Sequence, residues 1–272
     1  MARTLDKEYI YNNSSPTGQR EVKLSATYQW PVVVMIQHGG WQTVPYSDSW
    51  MEPWNDAFRD EGFSTIRLNW RFAPGSTYNT ALADIDSAIR FAYAKIVNFN
   101  KTWGRALETP INVIGMSSGA HLAVSWALNR AVYSKQAWRP GLVSGVVGLA
   151  GAYDLADGTL NETATGFIND FLADPTWTAE ASPITHAPMM VNDVTKYFLI
   201  HGEDDELLPI VTQAQAMHTA MAATDANKTG FLSYADIGHE IGQYTSTGWE
   251  GRLNTILHFF RTGEMLPEWL LP

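Results

Sequence analysis

The chain contains no cysteine. That absence removes disulfides, thiolate metal sites and a cysteine nucleophile together. Positive charge is scarce: 18 Lys and Arg stand against 28 Asp and Glu, for a formal net charge of −10 at pH 7. So acidic a chain is ill suited to nucleic acid or to an anionic membrane surface, and neither is expected as a partner. Long apolar runs are missing as well. None reaches the length of a membrane span, and the opening MARTLDKEYIYNN has no apolar signal region. With no cysteine and no leader pattern, a reducing, cytoplasmic setting is the expectation. The sequons at Asn12, Asn13, Asn100, Asn161 and Asn227 then read as chance. What remains is 272 residues, 45% hydrophobic and 17% charged. That is enough to bury a large core as one domain over residues 1–272.

The most informative stretch is Ile111–Ala127, INVIGMSSGAHLAVSWA. A β-branched run, a turn Gly115-Met116-Ser117-Ser118-Gly119 and an Ala-rich helix follow one another. A serine inside G-x-S-x-G between strand and helix is the nucleophile-elbow pattern. The turn is tight enough that a Cβ at 115 or 119 would press on the neighbouring strand or helix. Ser117 is left on strained backbone, with the following helix N-terminus aimed at any developing negative charge.

Around this stretch the chain alternates strands and helices. Lys7–Asn12 and Glu21–Tyr28 read as polar-alternating strands joined by a turn, an antiparallel opening. Pro31–Gln37, Ser64–Trp70, Leu142–Leu149, Thr195–His201 and Phe231–Asp236 read as further strands. Helices are expected over Ser47–Glu61, Thr80–Val97, Pro209–Ala223 and Trp249–Arg261. This is an α/β chain: a mostly parallel sheet with helices on both sides and an antiparallel N-terminal edge. Tyr153–Asn192 has turn signals and no clear period, and reads as an inserted lid or binding segment.

A serine hydroxyl needs a base to take its proton and a third group to orient that base. In elbow-type hydrolases the order is serine, acid, histidine. His218 and His258 lie inside helices, whereas His239 follows the last strand in a glycine-containing loop, where sites collect in open α/β sheets. For the acid, Thr195–His201 runs into Gly202-Glu203-Asp204-Asp205-Glu206 before Leu208-Pro209. Asp205 has the better distance from the strand, with Asp204 as the neighbouring alternative. His38-Gly39-Gly40-Trp41, directly after a central strand, lets backbone N–H groups approach an oxyanion together with the N–H of Ser118.

The ordered set HGGW, NWRFAPG, GMSSGAHLA, AGAYDL, SPITH and HGEDDELLP resembles HGG-type α/β-hydrolases. The branch is the one holding hormone-sensitive-lipase-like esterases, feruloyl and acetyl esterases and kynurenine formamidases, and the resemblance spans roughly Pro31 to Phe260. It implies a three-layer α/β-hydrolase fold with an eight-stranded sheet, a Ser117–Asp205–His239 triad and an oxyanion hole from Gly39, Gly40 and Ser118. It calls for no cofactor and no metal. HGGW lacks the third glycine of many lipase-like members. His121 and His186 match recurring positions and read as structural. Among 11 tryptophans, Trp41 and Trp177 are candidates for lining the substrate pocket.

The expected activity is hydrolysis of a small or aryl carboxylic ester through an acyl-enzyme on Ser117. An aryl formamide of the N-formylkynurenine type is the second substrate class, and a non-catalytic ligand-binding receptor on the same fold the third reading. The substrate is the only expected partner, and homodimerisation is left open. Asp225–Asp236 has the spacing of a calcium loop but lacks the final Glu. Its second half reads as the strand that delivers His239, where a calcium loop requires a helix.

Overall fold

The computed structural model describes residues 5–10, 21–26, 31–42, 51–102, 110–133, 141–192, 194–240, 244–245 and 248–266. Among them eight strands form one sheet: β1 (Leu5–Ile10), β2 (Glu21–Ala26), β3 (Val32–Ile36), β4 (Ser64–Leu68), β5 (Ile111–Met116), β6 (Val143–Leu149), β7 (Lys196–Gly202) and β8 (Thr229–Tyr234). Their spatial order is β1-β2-β4-β3-β5-β6-β7-β8. β2 pairs antiparallel with β1 and β4, and every later pairing is parallel. The fold is α/β, with the antiparallel N-terminal edge read from the sequence.

The central strands are largely apolar because both faces are covered. Val32, Val34 and Ile36 of β3 enter one buried cluster, and Val33 and Met35 enter the other. β7 divides in the same way, Tyr197 and Leu199 against Phe198 and Ile200. The first face is packed by α2 (Tyr78–Thr102), α3 (Ser118–Tyr133), α4 (Glu162–Leu172) and α6 (Ala216–Asp225). The second is packed by α1 (Met51–Asp60) and α7 (Trp249–Thr262), through Trp54, Phe58, Ile256, Phe259 and Phe260. Three layers result, and each fully buried Val, Ile or Phe contributes about 1.5–3 kcal/mol.

The chain passes from β3 through α1 to β4 on one side, then returns through α2 to β5 on the other side of β3. The carboxyl ends of β3 and β5 therefore flank the reversal of strand order, where open sheets bind their ligands. HGGW leaves β3 there and Ser117 leaves β5.

Several expected elements differ in extent. α1 begins at Met51, while residues 47–50 of the expected helix lie outside the described residues. β5 continues through Met116 and α3 starts at Ser118, so the expected five-residue turn is compressed to Ser117 alone. A π-helical turn, Val211–Gln215, precedes α6. β8 begins at Thr229, so a strand leaves the calcium-loop-like segment. The largest departure is the inserted segment. It holds α4, a 3-10 turn at Pro175–Trp177, α5 (Thr178–Ala181) and a long 3-10 stretch, Pro183–Asn192. α4 buries Ala164, Ile168, Phe171 and Leu172, a helical stripe too short to stand out in the sequence. No helix among the described residues is long and apolar enough to cross a membrane.

Candidate active site

Ser117 occupies the one-residue turn between β5 and α3 with φ at +53°. Its N–H donates to Leu149 O at 2.8 Å, and its C=O accepts the N–H of His121 at 3.0 Å. The flanking glycines have no alternative. A Cβ at Gly115 would lie 2.2 Å from Gly119 O, and one at Gly119 would lie 2.3 Å from Ile36 O and Gln37 O. Helix and strand therefore touch backbone to backbone, and the side chain between them is driven to the top of the sheet.

His239 reaches this serine from the loop after β8. Its Nε2 accepts from Ser117 Oγ at 2.9 Å, and its Nδ1–H donates to Asp205 Oδ2 at 2.8 Å. These contacts fix the ring's tautomer, with the proton on Nδ1 and the lone pair facing the serine. Asp205 is buried, whereas Asp204 is exposed, its backbone N–H tied to Ile237 O. The geometry thus distinguishes the two candidate acids. Asp205 Oδ1 accepts from the N–H groups of Leu207 and Leu208, at 3.0 and 2.8 Å. His201 Nε2 lies 3.0 Å from Asp205 Oδ2, a partner the sequence reading did not assign. Burial opposes the Asp205 charge, but hydrogen bonds from His201 and His239 outweigh it and hold the carboxyl well below the usual carboxylate range.

The HGGW loop stands opposite the serine. Gly39, Gly40 and Trp41 all have left-handed φ, at +124°, +59° and +58°. All three line the same cavity as Ser117, and Ser118 is the first residue of α3. His38 at its start is pushed down to about 4 by burial and by the like charge of His239, so it is neutral near neutral pH.

A cavity of about 210 Å³ opens over Ser117 and His239, lined by His38, Gly39, Gly40, Trp41, Ala164, Phe167, Ile168, Leu207 and Leu208. Its walls are mostly apolar. Of the two tryptophans singled out in the sequence, Trp41 lines it and Trp177 does not. Trp177 sits on the 3-10 turn beyond α4 and is 38% exposed, and Phe167 and Ile168 occupy the wall instead. Phe167 presses so closely on the HGGW loop that a Cβ at Gly40 would lie 2.9 Å from its ring. Only the orientation of α4 decides which aromatic faces inward, and sequence order does not carry it. His186 bonds Glu180 O and stays away from the cavity. A larger cavity of about 520 Å³, lined by Pro31, Pro110, Ser144 and Phe260, lies at the amino ends of the strands and holds none of these groups.

One family model, described as BD-FAE, matches residues 22–221. A search of curated proteins finds no match. Among solved structures, the chain is similar to esterase B from Lactobacillus rhamnosis, with a TM-score of 0.73 and 16% identity over 96% of this chain and 85% of that one. It is similar to a truncated carbohydrate esterase from gut microbiota, with a TM-score of 0.73 and 17% identity over 95% of each chain. It is also similar to carboxyl esterase 2 from the mycorrhizal fungus Tuber melanosporum, with a TM-score of 0.73 and 16% identity over 96% and 87%. At these identities the likeness is one of fold.

Proposed function

The chain belongs to the BD-FAE family, an α/β-hydrolase esterase family, and from that premise we propose that it hydrolyses small carboxylic esters through an acyl-enzyme on Ser117. The observation that carries this reading is the continuous run from Asp205 Oδ2 through His239 to Ser117 Oγ, at 2.8 and 2.9 Å. In it, His239 takes the serine proton as Ser117 Oγ attacks the ester carbonyl. Asp205 holds the ring in the tautomer that can accept and stabilises the imidazolium that forms. The carbonyl oxygen becomes an oxyanion against the backbone N–H groups of Gly39, Gly40 and Ser118, at the head of α3. His239 then returns the proton to the leaving alcohol. Water, activated by the same histidine, releases the acid and restores Ser117.

The substrate class follows from size and polarity. A mostly apolar cavity of about 210 Å³ suits a short acyl group. The aryl formamide left open by the sequence finds no feature of its own in this pocket. We take the chain to work as one unit, with residues 153–192 supplying the pocket wall.

The test is hydrolysis of p-nitrophenyl acetate by the wild-type chain and by Ser117→Ala. The variant should fold normally by circular dichroism and lose activity by roughly 10³-fold or more. Retained activity in Ser117→Ala would overturn the proposal.

A further inference from the structure

Trp41 stands at φ +58°, where glycine is at ease and an indole-bearing residue is strained. This is also the place where HGGW lacks the third glycine of the lipase-like pattern. Something must hold the turn. The Trp41 C=O accepts the N–H of Ala73 at 2.8 Å, and its indole stacks on Phe171 with ring centroids 5.0 Å apart and planes 12° apart. The indole N–H donates to His121 Nδ1 at 3.0 Å.

His121 is fully buried, and both its ring nitrogens are committed. Nδ1 receives the Trp41 N–H, so the ring's proton is on Nε2, which donates to Ala181 O of the inserted segment at 2.8 Å. Its backbone N–H bonds the C=O of Ser117. One residue thus touches the nucleophile turn, the oxyanion loop and the inserted segment. Burial pushes this histidine down to about 4, so its Nδ1 lone pair is available near neutral pH. Gln42 adds an outer tie between the same loop and α4, donating to Asp170 at 2.7 Å.

Building on the esterase reading, we propose that His121 is a positioning residue for the oxyanion loop. It accepts the Trp41 indole N–H and so holds a strained tryptophan, and the backbone N–H groups beside it, in register with Ser117. The side-chain tether takes over the task that a third glycine performs by conformational freedom. An oxyanion donor displaced by a few tenths of an ångström stabilises the transition state poorly while leaving ground-state binding nearly unchanged. The effect belongs in kcat.

The two halves of the imidazole can be removed separately. His121→Asn retains an acceptor near the Nδ1 position and loses the Ala181 link, whereas His121→Gln retains a donor toward Ala181 and loses the acceptor for Trp41. Trp41→Phe removes the same hydrogen bond from the other side and keeps a ring against Phe171. With p-nitrophenyl acetate, His121→Gln and Trp41→Phe should each lower kcat roughly tenfold or more, with KM much less affected. The double variant should be no worse than either single one, since all three lack one bond. His121→Asn should recover kcat relative to His121→Gln. The rate at which an aryl phosphonate labels Ser117 should follow the same order without requiring turnover.

Additive losses, equal damage from Asn and Gln, or a lowered Tm with kcat intact would each overturn the proposal. Should the His121 variants fail to fold, Trp41→Phe alone decides it, because it leaves α3 untouched. If the wild-type chain neither cleaves the ester nor takes the label, the esterase reading fails, and this inference falls with it. An active wild type with an additive cycle removes this inference alone.

Discussion

Phe167 shows how a single residue sets the pocket. It projects from α4 over Gly40 and occupies the cavity wall for which the sequence offered Trp177. Replacing it by alanine should lengthen the accepted acyl chain. The kcat/KM ratio of p-nitrophenyl butyrate to acetate is expected to rise roughly tenfold in Phe167→Ala, within the range a methylene or two can supply in an apolar site. An unchanged ratio across an acyl-chain series would place the acyl group elsewhere. Ser117 and His239 were legible because each follows its own strand in a recognisable loop. Asp205 against Asp204 was legible only as a preference. Both acids lie in the turn after β7, and which one faces inward depends on how the loop closes over Leu207 and Leu208.

At the scale of elements, α4 was the longest one missed in the sequence. Its signals were local and modest: an Asn cap and an apolar stripe inside a stretch otherwise rich in turn residues. Asn161 accepts the N–H of Ala164 at 2.9 Å and donates its own amide to Glu206 O at 3.0 Å. The helix start is thereby linked to the acid loop. Asn161→Ala should cost about 1 kcal/mol of stability in chemical denaturation. It should also raise KM more than it lowers kcat, because α4 supplies Phe167 and Ile168 to the wall while Ser117, Asp205 and His239 lie on other elements. A variant with wild-type stability would show that the cap contributes nothing. The same bonds leave the Asn161 sequon committed to the fold, and Asn100 of another is buried. Gln213 of the π turn holds the start of the inserted segment, accepting from the N–H groups of Tyr153 and Asp154 and donating to Asp154 O. A regular-helix expectation over Pro209–Ala223 could not reveal that tie, because it depends on a partner some sixty residues away.

For the whole molecule, two histidines make stability sensitive to acid. His121 and His38 are both lowered from 6.5 to about 4 in the folded chain. Their charged forms are disfavoured by burial, so the unfolded chain binds protons first as pH falls. Stability from this source is intact above about 6.5, declines between about 6.5 and about 4, and then levels off. For His121, which is fully buried, the loss is on the order of 2–3 kcal/mol. Asp205 acts at lower pH. Its carboxyl is held low, so its contribution is present above the ordinary carboxylate value and is lost only as pH falls beneath it. Thermal denaturation from pH 7 to pH 4 should show the decline, with a flatter profile in His121→Asn. A wild-type Tm independent of pH across that window would contradict the burial of these rings.

Composition, hydrophobic period and local motifs determined the α/β class, the order of the strands along the chain, and the loops that carry serine, histidine and acid. These are properties of short stretches, where steric and polar requirements act between near neighbours. Tertiary structure alone decided which of two acids meets His239, which aromatic lines the cavity over Ser117, and why a tryptophan can stand where a glycine is expected. Each of those answers depends on a side chain's direction and on partners distant in sequence, which exist only once the sheet and its helices have packed.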